Sequence, residues 1–261
     1  MNISSDLELA HAIADEVDTL TLGRFYSNDL RISTKPDLTP VSDADTDAER
    51  IIRTMLGTAR PDDAIFGEEE GGETQHTHRR WIIDPIDGTK NFIRKVPVWA
   101  TLIALEEEGD ITLGLVSAPA LGRRWWAGKN MGAFTGTFNN PTPIHCSSVS
   151  HIQDASFSYS SLTGWKDLNL RDSFLQLTDT CWRTRAFGDF FSYMLVAEGA
   201  VDIAAEPELN LYDMAALVPI VREAGGTFTS LDGQDGPWGT NALASNTLLH
   251  KEALKFLGTS Q

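Results

Sequence analysis

Cysteine is nearly absent from this 261-residue chain, which holds only Cys146 and Cys181. Two thiols cannot build a multi-disulfide framework, and theirs is not the paired spacing of a metal knuckle. A reducing compartment with buried thiols is the simplest reading. Basic residues are also scarce, 21 Lys and Arg against 37 Asp and Glu, for a formal net charge of −16. No Lys/Arg block is present to neutralise a run of phosphates, so nucleic acid is excluded as a partner. An anionic membrane surface is an equally poor partner. No stretch approaches the ~20 apolar residues needed to span a bilayer. Residues 1–20 are acidic and amphipathic and lack the basic start of a secretory signal. These absences point to the cytoplasm. Neither an internal repeat nor a low-complexity segment is found. What is present is ordinary for a globular protein: 41% hydrophobic and 22% charged residues, enough to bury a large core.

Periodicity gives the order of elements. Ser5-Asp6-Leu7-Glu8 has capping-box spacing, and Leu7, Ala10, Ala14 and Val17 follow at helical intervals. After a break around Pro36 and Pro40, a second helix is expected from about Thr46, carrying Ile51, Ile52, Met55 and Leu56. Residues 64–66 and 80–83 read as strands, with a polar surface loop over 72–79 between them. Glu108-Gly109-Asp110 joins strands over 100–105 and 111–117 as a hairpin. Arg123-Arg124 and Trp125-Trp126 read as strand edge and core or dimer surface, paired with Ala133-Phe134. From about Pro141 helices and strands alternate: strands at 155–159, 182–185, 201–205 and 227–229, helices at 167–178, 190–198, 214–224 and 246–256. Pro219 lies inside one of these helices and predicts a kink. The result is an antiparallel-rich half over residues 1–140 and an α/β half over 141–261, forming one compact unit.

The most informative stretch is Trp81-Ile82-Ile83-Asp84-Pro85-Ile86-Asp87-Gly88-Thr89-Lys90-Asn91. An apolar strand runs into two carboxylates at i and i+3, then into a Gly-Thr pair suited to a helix start. Carboxylates hold hard cations such as Mg²⁺, and backbone amides at a helix start receive phosphate. Any one such acid alone is more simply a cap or a solvated turn residue. Gly67-Glu68-Glu69, Pro40-Val41-Ser42-Asp43-Ala44-Asp45, and Tyr212-Asp213-Met214-Ala215-Ala216 followed by Glu223-Ala224-Gly225-Gly226 supply further acids near strand ends and helix starts. Strand ends gather at one edge of an α/β sheet.

These four motifs, in their order along the chain, resemble the inositol monophosphatase superfamily over nearly the whole chain. The resemblance implies a layered αβαβα sandwich of the inositol monophosphatase and fructose-1,6-bisphosphatase type, with the site where the halves meet. It implies a Mg²⁺-dependent phosphomonoesterase with two to three ions and a homodimeric state. Carried over residue by residue, Glu68, Asp84 and the Ile86 carbonyl resemble the ligands of a first metal. Asp84, Asp87 and Asp213 resemble those of a second. Asp45, rather than its neighbour Asp43, matches the acid near a third, and Glu69 sits beside the ligands. Thr89 and Glu68 resemble the pair that orients the attacking water, and the Gly88 and Thr89 amides the phosphate cradle. There is no Cys-x5-Arg loop and no Asp-x-Asp nucleophile motif after a first strand, so a covalent phosphoenzyme is not expected.

Members of this superfamily hydrolyse different small phosphate esters. Lys90 and Trp99 resemble the bacterial histidinol-phosphatase branch, which implies L-histidinol phosphate as substrate and histidine biosynthesis as context. Asp189 after Gly188, and Glu206 upstream of Asp213, are placed to pair with the substrate's ammonium and imidazole. Their plainer readings are a helix N-cap for Asp189 and a solvated turn acid for Glu206. Lys90 binds phosphate or neutralises the acidic cluster, and Trp99 faces the imidazole or fills the core. His76 and His78 read as solvated, without partners for zinc. The rival readings are an inositol or other sugar-phosphate phosphatase and a catalytically silent metal-binding regulator.

Overall fold

Two large sheets organise the chain, whose computed structural model describes residues 3–36, 38–73 and 78–258. The larger runs, in spatial order, through Asn140–Pro143, Gly132–Thr137, Arg123–Gly128, Asp110–Ala118, Ala100–Glu107, Arg79–Asp87, Ala64–Gly67 and Gly71–Gly72. Only Ala64–Gly67 and Arg79–Asp87 pair in parallel within it. The Ala100–Glu107 and Asp110–Ala118 hairpin closes through Glu108 and Gly109, at φ 51° and 82°, the positive values that match the twist of a tight turn. The smaller sheet runs Arg183–Arg185, Ser156–Ser158, Ile203–Glu206, Ala242–Asn246 and Gly226–Thr229.

Alternation of side chains sorts the larger sheet's two faces. On one face Trp81, Ile83, Ile103, Leu105, Leu113 and Leu115 pack against Leu7, Ile13 and Val17 of helix Ile3–Tyr26 and Ile52 and Leu56 of helix Asp43–Ala59. On the other, Ile82, Leu102, Ala104, Val116 and Trp125 meet Phe190 and Met194 of helix Asp189–Ala197 and Ile220 and Val221 of helix Leu217–Glu223. Those two helices also cover Ala204, Phe228 and Ala244 of the smaller sheet. Its far face, with Phe157, Ile203 and Leu243, is closed by helices Arg171–Thr180 and Thr247–Leu257 through Phe174, Leu177, Leu249 and Ala253. The layers are therefore αβαβα. Each side chain fully withdrawn from water contributes about 1.5–3 kcal/mol, so apolar burial on both faces of each sheet fixes the register.

Several boundaries differ from the sequence expectation. Ser5 lies inside the first helix, which is already helical at Ile3. The second helix starts at Asp43: Ser42 is its N-cap, with Asp45 closing the capping box. The helix expected over 167–178 is divided into Thr163–Asp167 and Arg171–Thr180, with Asn169 between them at φ 58°. The helix expected over 214–224 is divided into Leu211–Met214 and Leu217–Glu223. Pro219 explains that break: it has no N–H for the Ala215 carbonyl, and its ring crowds it. The segment lies tight on the larger sheet, where a Cβ on Gly114 would fall 2.1 Å from Ala216 O and 2.7 Å from Pro219 Cγ. The sequence pattern does not mark strand Ala242–Asn246, because its small residues carry little strand signal, although all five are buried. Arg79 opens a strand rather than closing the loop over 72–79, and His76 lies outside the described residues. His78 contacts the Glu108 carboxylate. No helix among the described residues is long and apolar enough to cross a membrane.

Candidate active site

Asp84 and Asp87 stand three apart on one strand, a spacing that sends side chains to opposite faces of a regular strand. Here Asp84 pairs with Leu102 and Asp87 with Ala100, so three steps on one strand match two on its neighbour. The extra residue makes a bulge, which re-aims the side chains. Pro85 suits it, having no N–H to give to the ladder. Its carbonyl accepts from Thr101 Oγ1 at 2.8 Å, and Asp84 Oδ1 accepts the Ile86 N–H at 3.0 Å. Asp213 arrives at the start of helix Leu211–Met214, where its carboxylate accepts the Asn210 N–H at 2.6 Å. Asp84, Asp87 and Asp213 thereby offer carboxylate oxygens all within 4.8 Å of one another.

The neighbouring elements lock onto this group. Asp87 Oδ2 accepts the Phe190 N–H at 2.8 Å, which ties helix Asp189–Ala197 to the bulged strand. Gly88 follows at φ 83°, and a Cβ there would sit 3.0 Å from Val98 O. Glycine meets both demands. Thr89 Oγ1 lies 3.0 Å from Ile86 O and 3.1 Å from Asp45 Oδ1. Asp45 is fully buried and held by the Ser42 amide at 2.8 Å. Asp43 is instead engaged by Arg24 and Arg31 at 2.8 and 3.0 Å, so Asp45 is the acid that faces the threonine. Glu68 lies outside the tight group of three. Its charge helps to raise the Asp84 carboxyl and, with Glu69, it is gripped by Lys35 Nζ at 2.8 Å from each.

The electrostatics are those of a site built for cations. Burial and the charges of Glu68, Asp87 and Asp213 drive the Asp84 carboxyl well above its usual range. Burial, with Asp189 and Asp213 nearby, does the same to Asp87. Burial pushes Asp213 up to about 7, against the pull of the Asn210 amide. Such crowding in a low dielectric is relieved by protons or by hard cations. An all-oxygen donor set of three converging carboxylates, with Glu68 beside it, fits a Mg²⁺-like ion.

Alongside lies a cavity of about 570 Å³, lined among others by Asp87, Lys90, Gly188, Asp189, Glu206 and Asp213. Burial lifts Glu206 to about 8, against Ser160, whose Oγ donates to it at 2.6 Å. Burial lifts Asp189 to about 6, against the charge of Lys90. Asp189 Oδ2 accepts from Asn91 Nδ2 at 2.8 Å, and its backbone sits at φ 49°, a strained value for a non-glycine residue. Asp189 is the first residue of its helix, with Gly188 as N-cap, so the cap expectation fails. Glu206 is buried at the end of its strand rather than solvated. Trp99 is fully buried against Phe25 and Phe92, a core residue rather than a platform for a substrate ring. Ser160, Asn91 and Lys35 join the site without a sequence expectation for them. Asn91 closes the Asp-Gly-Thr-Lys-Asn run, whereas Ser160 and Lys35 sit in loops without a local signature. A slightly larger cavity, about 610 Å³ beside His11, Asp18 and Arg124, has none of these acids.

Fold and site together define a phosphomonoesterase of the carboxylate-cluster type, acting on small phosphate esters. The chain belongs to the inositol monophosphatase family, whose profile matches residues 3–259. It is 59% identical over 250 residues to a histidinol-phosphatase of Mycobacterium tuberculosis, covering 95% of this chain and 96% of that one. It is 58% identical over 257 residues to a histidinol-phosphatase of Streptomyces coelicolor, covering 97% and 96%. Among solved structures it resembles an inositol monophosphatase of Thermotoga maritima, with TM-score 0.87, 28% identity, and 97% and 96% of the two chains covered.

Proposed function

We propose that this phosphatase hydrolyses L-histidinol phosphate to L-histidinol and inorganic phosphate, with Mg²⁺ as its metal, in histidine biosynthesis. The observation that supports it most is the Asp84, Asp87 and Asp213 group opening onto a cavity whose lining includes two more carboxylates, the half-buried Asp189 and the buried Glu206. Glu68, Asp84, Asp87, Asp213, Asp45 and the Ile86 carbonyl would hold two to three ions. When bound, they would acidify water and offset phosphoryl charge.

The chain's own groups do the positioning. Thr89 Oγ1 and Glu68 orient the attacking water, and Glu68 takes its proton. The Gly88 and Thr89 amides receive phosphoryl oxygens as negative charge shifts to the leaving oxygen. Water adds its oxygen to phosphorus, the ester P–O bond breaks, and a proton ends on the released alcohol. Asp189 and Glu206 are costly to ionise in the free protein, and a cationic amine or imidazolium would favour their charged forms. Lys90, exposed at the rim, balances the acidic cluster and attracts the phosphate. The family resemblance further implies a homodimer; the scarcity of cysteine and the acidic N-terminus favour the cytoplasm, and residues 1–140 and 141–261 are taken to act as one unit; sedimentation checks the assembly.

A substrate panel tests the reading. The kcat/KM for L-histidinol phosphate is expected to exceed those for inositol 1-phosphate and fructose 1,6-bisphosphate. A preference for either sugar ester would move the chain to that chemistry.

A further inference from the structure

Glu49, fully buried on helix Asp43–Ala59, has no part in the chemistry above, yet it grips the segment that carries Glu68. Its Oε2 accepts the Glu69 N–H at 2.8 Å, and its Oε1 accepts the Glu70 N–H at 3.0 Å. Arg53, one turn on, donates Nε to Glu49 Oε1 at 2.8 Å and reaches the Gly71 carbonyl with Nη2. The turn after Glu68 is thus fastened by side chains of a single helix. That helix also carries Asp45, one turn before Glu49 and on the same face. Gly67 completes the fit: a Cβ there would fall 2.3 Å from Glu49 Oε1, so the carboxylate occupies the space a side chain would fill.

We propose that Glu49 is a positioning residue. By holding the Glu69 and Glu70 amides, it sets the Glu68 carboxylate at a fixed place beside Asp84 for a divalent cation. The proposal rests on the metal-phosphatase reading. A buried acid on two consecutive amides, braced by an arginine, fixes a backbone in a way an apolar side chain could not. Groups that orient metal ligands typically change metal affinity about 10- to 100-fold when removed.

The test is Glu49→Gln, nearly isosteric, in which an amide NH₂ replaces one acceptor oxygen. Mg²⁺ affinity is read by calorimetric titration, and exchange of the Glu69 and Glu70 amides by NMR. In the wild-type protein both amides are expected to be protected. In the variant they exchange faster and the Mg²⁺ Kd rises about 10- to 100-fold, while KM at saturating Mg²⁺ changes little. Unchanged Mg²⁺ affinity in a folded variant overturns the proposal. So do wild-type amides exchanging at free-peptide rates. Should Glu49→Gln not fold, Gly67→Ala displaces the same carboxylate while keeping its charge, with the same expected outcome. A wild-type chain that binds no Mg²⁺ while both amides stay protected overturns the metal-phosphatase reading instead, and with it the proposed role for Glu49.

Discussion

Replacing Asp84 by Asn should stabilise the metal-free protein while abolishing its function. The three clustered carboxylates offer oxygens within 4.8 Å, and at an effective dielectric of about 20 two unit charges at that separation repel by roughly 3.5 kcal/mol. Asp84 faces two such partners, Asp87 and Asp213. Proton uptake relieves part of the repulsion, because burial already places Asp213 at about 7 and lifts the other two. The net gain from Asn at pH 8 is then on the order of 1–3 kcal/mol. For a chain of this size that is roughly 3–9 °C in Tm. Asn Oδ1 can still accept the Ile86 N–H, so the bulge survives. The pH dependence has a definite sign. A carboxyl whose folded pKa is raised holds its proton better when folded, so metal-free stability falls as pH rises from about 4 through 7. At pH 5 the advantage of Asn should shrink towards zero. Saturating Mg²⁺ should reverse the order, since a ligand at about 100 times its Kd adds roughly 2.7 kcal/mol to whichever form binds it. Differential scanning calorimetry in EDTA and in Mg²⁺, at pH 5 and pH 8, reads all four conditions. An Asn variant less stable than wild type in EDTA at pH 8 would refute the repulsion argument, as would a gap that does not change with pH.

Three further outcomes are expected. Asp213→Asn should lower kcat by at least about 10²-fold in a phosphate-release assay, because one of the converging charges is lost. Asp189→Asn should lower kcat/KM for L-histidinol phosphate by about 10- to 100-fold, the worth of a hydrogen bond to a charged group, and leave phenyl phosphate nearly unaffected. Equal losses on both esters would remove Asp189 from amine recognition. Gly114→Ala should cost about 1–3 kcal/mol by overpacking against Ala216 and Pro219, read as a lower denaturant midpoint; an unchanged midpoint would mean that this contact yields freely.

Much of this architecture was legible in the sequence, for physical reasons that differ from element to element. The Glu108-Gly109 hairpin and the apolar strand leading to Asp84 carry strong local signals. The expected start of helix Asp43–Ala59 falls three residues late because the place of Ser42 in the Pro-Val-Ser-Asp run hides its capping role. Strand Ala242–Asn246 has a neighbour on each side in its sheet but is built of small residues, so burial rather than propensity defines it. At the site, the motif acids could be named, but not the bulge that turns Asp84 and Asp87 to one side. Nor could the sequence show that Lys35 Nζ bridges Glu68 and Glu69, or that Ser160 links Asp189 to Glu206, since these contacts join segments far apart in the chain.

Phosphate release from L-histidinol phosphate, by protein stripped of metal with EDTA and then titrated with Mg²⁺, tests the central claim most directly. The account predicts negligible turnover in chelator and full turnover once Mg²⁺ is restored. An undiminished rate in excess chelator would contradict it.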